Sequence, residues 1–171
     1  GKTKVQIYSL KNPEEGPHYE RTFRRKETRE IRLYGLSGND EFYLTGKQKR
    51  GSFIRIIAGK GDDLVIDSSR IRGLSKMTYI YDKPKGIDLE NTYGESRKRY
   101  SQAPSIHEYD RHAHRYNKTK KGLAFGFNID DGFSIGWTVN NVNHGFRRDP
   151  YRSSHQASAL FAFATRAVQL K

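Results

Sequence analysis

Two segments place glycine, amide and carboxylate groups at the spacing of a cation-binding turn: Gly35-Leu36-Ser37-Gly38-Asn39-Asp40-Glu41-Phe42 and Ala58-Gly59-Lys60-Gly61-Asp62-Asp63-Leu64-Val65. Both approximate the nonapeptide G-G-x-G-x-D-x-U-x of calcium-loaded rolls, in which U is a large apolar residue. The glycines permit tight turns, the carboxylates and turn carbonyls offer hard oxygens to calcium, and the apolar residue points inward. Asp40 and Asp63 hold the ligand position, with Asn39 and Asp62 beside them, while Phe42 and Val65 hold the core position. Each copy lacks one of the first two glycines, and a calcium roll stacks more than two such turns. A plainer arrangement therefore competes and is favoured: stacked turns whose carboxylates cap backbone amides and carry the chain between rungs of a β-roll.

The remaining titratable clusters give weaker signals. His112 and His114 share a face if their segment is a strand, but no third histidine or carboxylate stands at a metal-ligand spacing. His107-Glu108-Tyr109-Asp110 offers acid and base groups in a polar stretch where no pocket is expected. Asp130-Asp131-Gly132 reads as a turn ahead of an aromatic strand. Gly-x-Ser-x-Gly, His-Glu-x-x-His and phosphate-loop patterns are missing, and the chain has no cysteine, which excludes thiol nucleophiles and thiolate zinc sites. No catalytic residue is expected, and no cofactor beyond a calcium ion.

The elements that must position these groups are strands. Lys4–Tyr8, Arg29–Tyr34, Glu41–Thr45, Ser52–Ile57, Leu64–Ile66 and Thr78–Tyr81 are short runs with polar and apolar residues in alternation or with continuous β-branched character, separated by Gly, Asn-Asp or Lys-rich turns. They predict a mostly-β fold over residues 1–90, a small β-roll or β-sandwich-like module, with a solenoid-like arrangement also open. Residues 91–121, which carry Arg97, Lys98, Arg99, Lys118, Lys120 and Lys121, read as a basic linker or arm. Over residues 122–171, Phe133, Ile135, Trp137 and Val139 alternate with Ser134, Gly136, Thr138 and Asn140, and Ala157–Leu170 is a second, Ala- and Phe-rich strand. Joined through Gly145–Pro150, the two predict a C-terminal hairpin with strands of the roughly 9 to 11 residues that cross a bilayer. On pattern alone a soluble hairpin packed on the preceding module fits equally well.

The 171-residue chain carries a formal net charge of +13, so polyanions are its natural partners: anionic lipid, lipopolysaccharide or nucleic acid. Arg97, Lys98, Arg99, Lys118, Lys120 and Lys121 are the candidate polyanion-facing residues, and Trp137 the candidate lipid-facing one. No run of eighteen apolar residues is present, a test that transmembrane β-strands escape.

The stretch Glu27–Asp40, then Ile54–Asp63, Phe127–Gly136, His144–Tyr151 and Ala162–Thr165 resembles Gram-negative outer-membrane proteins of the BamA/TamA surface-antigen family, of the type in which a calcineurin-like metallophosphoesterase precedes the barrel. The resemblance implies a periplasmic β-module feeding through a basic linker into the first barrel hairpin, located at the outer membrane. It implies a non-catalytic role in membrane-protein assembly or translocation, with the outer membrane, its lipopolysaccharide, the rest of the barrel and other envelope proteins as partners. The Gly-Asn-His-Asp metal motif of the phosphoesterase is missing, since Gly38-Asn39-Asp40 lacks the histidine, so no phosphatase residue carries over. Further barrel strands are expected outside this chain, because unpaired strand edges are not tolerated by lipid. A nucleic-acid-binding β-domain, disfavoured among the partners, and a calcium-stabilised roll are the alternatives.

Overall fold

The computed structural model of the chain describes residues 1–72 and 76–171 and separates them into two compact units, Gly1–Tyr109 and Asp110–Lys171. Both are built of strands, as the alternation predicts; α1 (Pro104–His107) and a single 3-10 turn at Pro13–Glu15 are the helical pieces among the described residues.

The first unit opens with an antiparallel hairpin, β1 (Lys2–Ile7) against β2 (Tyr19–Arg24). Then follow β3 (Glu30–Tyr34), β4 (Glu41–Leu44), β5 (Lys47–Gln48), β6 (Phe53–Ile57), β7 (Asp63–Asp67), β8 (Arg70–Ile71), β9 (Thr78–Asp82), β10 (Ile87–Asn91) and β11 (Ser96–Tyr100). None of these pairs with the strand next to it in sequence. They form three parallel ladders: β3, β6, β9 and β11 side by side, β4 with β7 and β10, and β5 with β8. The chain therefore winds as a solenoid, and every circuit lays a strand on each face beside its counterpart of the previous circuit. Arg32 lies beside Arg55, Arg55 beside Tyr79 and Tyr79 beside Arg97, so successive circuits advance by 23, 24 and 18 residues. Of the arrangements expected, these parallel ladders fit a β-roll or solenoid; a sandwich would require antiparallel neighbours.

Period-2 alternation fills the solenoid. Leu33, Ile56 and Ile80 occupy one register row, and Phe42, Val65 and Leu89 another; both rows pack into one core with Leu44, Ile54, Ala58 and Ile87. Burial of each such side chain is worth about 1.5–3 kcal/mol. The corners depend on glycine where two turns approach: Gly61 has φ +137°, and a Cβ there would stand 2.0 Å from the Gly38 carbonyl oxygen.

The second unit is an antiparallel meander of β12 (Lys118–Asn128), β13 (Gly132–Asn143), β14 (Ser153–Ala162) and the short β15 (Val168–Leu170), in that order. The first three strands are 11, 12 and 10 residues long.

Three boundaries differ from the sequence reading. The solenoid does not stop at residue 90: β11, inside the expected linker 91–121, forms its last rung, and α1 follows it. The expected hairpin of residues 122–171 is a four-stranded sheet, whose first strand begins at Lys118 within the same supposed linker. The expected strand 157–170 breaks at residues 163–167, where the chain reverses from β14 into β15.

Candidate functional site

The meander separates its side chains onto two unlike faces. In-register pairing puts Leu123 beside Trp137, Phe125 beside Ile135 and Phe127 beside Phe133; across the next ladder Ile135 meets Phe161, Trp137 meets Ala159 and Val139 meets Ala157. Val168 and Leu170 extend these rows onto β15. One face is thus apolar over all four strands, and much of it is bare: Trp137 is 63% exposed, Phe125 62% and Phe127 78%. The rings contact one another, with Phe133 stacked 6.3 Å from Phe125 and 6.0 Å from Phe163. The opposite face carries Gly122, Gly126, Gly136, Ser134, Thr138, Asn140, Gln156 and Ser158, with Ala124, Val142, Leu160 and Ala162 among them.

Polar groups bound the apolar band at both ends. At one end Thr119, Asn141 and His155 form a row, tied by a 2.8 Å hydrogen bond from Asn141 Nδ2 to Thr119 Oγ1. At the other, the Asp130-Asp131-Gly132 turn forms as the sequence suggests, with Gly132 at φ +69°. Asp131 accepts hydrogen bonds from Thr165 Oγ1 (3.0 Å) and Gln169 Nε2 (2.6 Å), stitching that turn to the β14–β15 turn. From Val139 to Phe133 the band extends about 20 Å along the strand at ~3.4 Å per residue. Outer-membrane barrels carry an apolar belt of about 25 Å and a polar interior. Among residues 110–171 only Phe146 and Ala162 are buried apolar residues, so the long strands lack a core of their own.

The residues expected to face polyanions divide. Arg97 and Arg99 point out of the solenoid, but Lys98 lies between them in the inward row of Leu33, Ile56 and Ile80, on the last rung, where its Nζ donates to the Ile87 carbonyl oxygen at 3.4 Å. Alternation thus overturns the idea of one Arg-Lys-Arg patch. Lys118, Lys120 and Lys121 are exposed but belong to β12; Lys118 and Lys120 project on the polar face, and Lys121 on the apolar one beside Val139.

The repeated turns stack upon each other. Asn39 Oδ1 accepts from the Asp62 amide (3.1 Å), and Asp63 Oδ1 from the Asp40 amide (2.9 Å). Both residues thereby cap backbone, as the plainer turn arrangement requires. Among the described residues no three His, Asp or Glu side chains gather as a metal-holding group. A different feature emerges: the Oδ2 atoms of Asp40, Asp63 and Asp82 are buried and accept no hydrogen bond. Asp63 and Asp82 are each 2% exposed. Burial raises all three carboxyl pKa values, and for Asp63 the neighbouring charges of Asp40 and Asp82 add to the rise. Asp82 was not foreseen, because the third circuit replaces the Gly-Asn-Asp turn by Asp82-Lys83-Pro84-Lys85-Gly86. Asp67, fully buried, contrasts with them: it accepts from the amide and hydroxyl of Ser69 and from the Ser96 hydroxyl.

A further group missed by sequence reading is the aromatic and basic row on the outer face of the longest ladder. The Arg55 guanidinium lies over Phe53 (4.6 Å), Tyr81 (5.6 Å) and Tyr79 (5.8 Å), and Arg99 lies over Tyr79 (4.9 Å). Glu30 anchors the row through Arg32 (2.6 Å) and Arg55 (3.1 Å). Burial raises the Glu30 pKa, but the two guanidinium partners outweigh it and hold the carboxyl below its ordinary value. The signal was present as Arg55, Tyr79 and Arg97 at successive circuit spacings, legible only once the period is known.

The histidines do not assemble a site. His107 Nε2 lies 2.8 Å from the Ser101 carbonyl oxygen, and His114 makes an edge contact with Tyr116 at 4.5 Å. Residues 110–117 are not a strand, so the expected shared face of His112 and His114 does not arise. Comparison with family models, with curated proteins and with solved structures returns no match.

Proposed function

We propose that residues 118–171 are strands of an outer-membrane β-barrel and that the solenoid unit is its periplasmic module, in a protein of the BamA/TamA surface-antigen type. The chain acts without catalysis, as a structural and interaction segment in membrane-protein assembly or translocation, with lipopolysaccharide-bearing outer membrane as its surroundings. The observation that carries this is the apolar face running over four successive strands, backed by a face of mostly small and polar side chains. In water that arrangement is inverted: the apolar face lacks a cover and the small polar face cannot serve as a core. In a barrel wall it is the expected one, lipid outside and a polar lumen inside. The edges β12 and β15 would pair with further strands, as closure in lipid demands. No helix of the described residues is long and apolar enough to cross a membrane.

Alkaline carbonate extraction of membranes from cells making the whole protein tests this. Retention in the membrane pellet, together with faster gel migration in SDS before boiling than after, is expected. Release into the carbonate supernatant as a soluble monomer would end it.

A further inference from the structure

The two-stranded ladder of β5 and β8 builds a basic cleft on the solenoid unit. Lys47-Gln48-Lys49 and Arg70-Ile71-Arg72 repeat one pattern at the 23-residue circuit spacing, and the register puts Lys47 beside Arg70. The Arg72 amide donates to the Gln48 carbonyl at 2.9 Å, so the ladder continues and sets Arg72 beside Lys49. Gln48 and Ile71, which alternate with the cations, are half-buried, and all four cations are exposed. Together with Gln48, Ile71, Tyr93 and Glu95 they line an open cleft of about 930 Å³, large enough for a sugar-sized ligand.

Like charges side by side on neighbouring strands destabilise a sheet. Among the described residues no carboxylate lies within ion-pair distance of these four cations to offset that. Glu95, the nearby acid, is engaged in accepting the Ile71 amide at 3.2 Å. Local conflicts of this kind are expected at functional sites. Neighbouring strands lie about 4.8 Å apart and alternate residues about 7 Å apart along a strand. Each Lys–Arg pair is therefore spaced to grip one phosphate between an ammonium and a guanidinium, and the two pairs hold two phosphates about 7 Å apart.

The geometry points to a site for a bisphosphorylated saccharide, its two phosphates clamped by Lys47–Arg70 and Lys49–Arg72. A single-stranded nucleic acid fits less well, because it needs successive rings for its bases. Tyr93 is the one ring among the cleft's lining residues, and the Arg70 guanidinium already lies 5.6 Å over it. The site stands on the solenoid alone and holds whether or not the second unit lies in lipid.

Calorimetric titration of the full chain in detergent micelles, with glucose 1,6-bisphosphate and glucose 6-phosphate as probes, tests it. The bisphosphate should bind at least tenfold more tightly. Both the Lys47→Ala/Arg70→Ala and the Lys49→Ala/Arg72→Ala variants should lower its affinity to that of the monophosphate, and Lys83→Ala/Lys85→Ala, a basic pair elsewhere on the solenoid, should leave it unchanged. Competition distinguishes the source: displacement by micelles of a bisphosphorylated glycolipid assigns a lipid headgroup, and displacement by soluble sugar bisphosphates alone assigns a free one. Equal affinity for the two sugar phosphates, equal loss in the Lys83/Lys85 control, or an oligothymidylate that binds more tightly than the bisphosphate and loses affinity in the same variants would overturn the assignment.

Discussion

An arginine placed on the apolar face should cost stability according to its depth in the lipid. Phe125 sits at mid-band on β12, in the row of Ile135, Phe161 and Val168, and Thr119 lies six residues away in the polar rim with Asn141 and His155. At ~3.4 Å per residue the two positions are about 20 Å apart along the strand. An arginine at the midplane of a barrel wall costs about 2–4 kcal/mol and one near the interface about 0–1. Phe125→Arg should therefore lower the folding equilibrium in lipid vesicles about 30- to 1,000-fold, and Thr119→Arg at most about fivefold. Gln156→Arg, on the polar face, should resemble Thr119→Arg. Urea titration of vesicle-inserted protein reads these differences as shifts in midpoint at constant slope. On a water-exposed sheet, replacing a side chain that is 62% exposed changes stability by about 0.5 kcal/mol or less. Equal shifts for Phe125→Arg and Thr119→Arg would refute the lipid-facing band.

Two perturbations probe the solenoid. Asp63→Asn keeps the Oδ1 acceptor for the Asp40 amide and removes a buried charge beside Asp40 and Asp82. The folded-state pKa of Asp63 is raised, so its carboxyl favours folding below the ordinary aspartate range and that contribution is lost as pH rises through the raised value. The variant should therefore melt higher than wild type at neutral pH, by about 1–3 kcal/mol of relieved desolvation. The gain should fade on acidification, when the wild-type carboxyl is protonated; calorimetric scans over pH would show the curves converge. A calcium-loaded turn would give the opposite sign: Asp63→Asn would melt lower, and chelator would lower the wild type. Ile56→Ala empties the centre of the Leu33–Ile56–Ile80 row, where Ile56 is fully buried, and should cost about 2–5 kcal/mol by chemical denaturation; a loss under 1 kcal/mol would contradict the packing of that row.

The repeated turns at Gly38-Asn39-Asp40 and Gly61-Asp62-Asp63 marked two corners, where glycine supplies the positive φ and close approach found at Gly61. Short alternating strands have the same period in a roll, a sandwich and a solenoid, so the parallel partners could not be read from them. Residues 83–86 hid the third corner by replacing the turn sequence, and Asp82 with it. Lys98 looked like part of a surface patch because its inward position follows from the registers of β9 and β11, which are long-range. The aromatic face of β13 was plain from Phe133 to Val139, yet β12 was not. Lys118-Thr119-Lys120-Lys121 reads as solvated linker until Leu123, Phe125 and Phe127 are aligned against β13. The basic cleft stayed hidden for the same reason: Lys47-Gln48-Lys49 and Arg70-Ile71-Arg72 are unremarkable apart and become a grid only when stacked.

The chain has a single tryptophan, Trp137, at the centre of the apolar face, which makes it a reporter without engineering. With the protein in vesicles containing lipid brominated at mid-acyl chain, emission is expected at short wavelength, strongly quenched by bromine and not by aqueous iodide. Emission at the wavelength of free tryptophan, quenched by iodide and indifferent to bromolipid, would contradict the claim that this face meets the membrane.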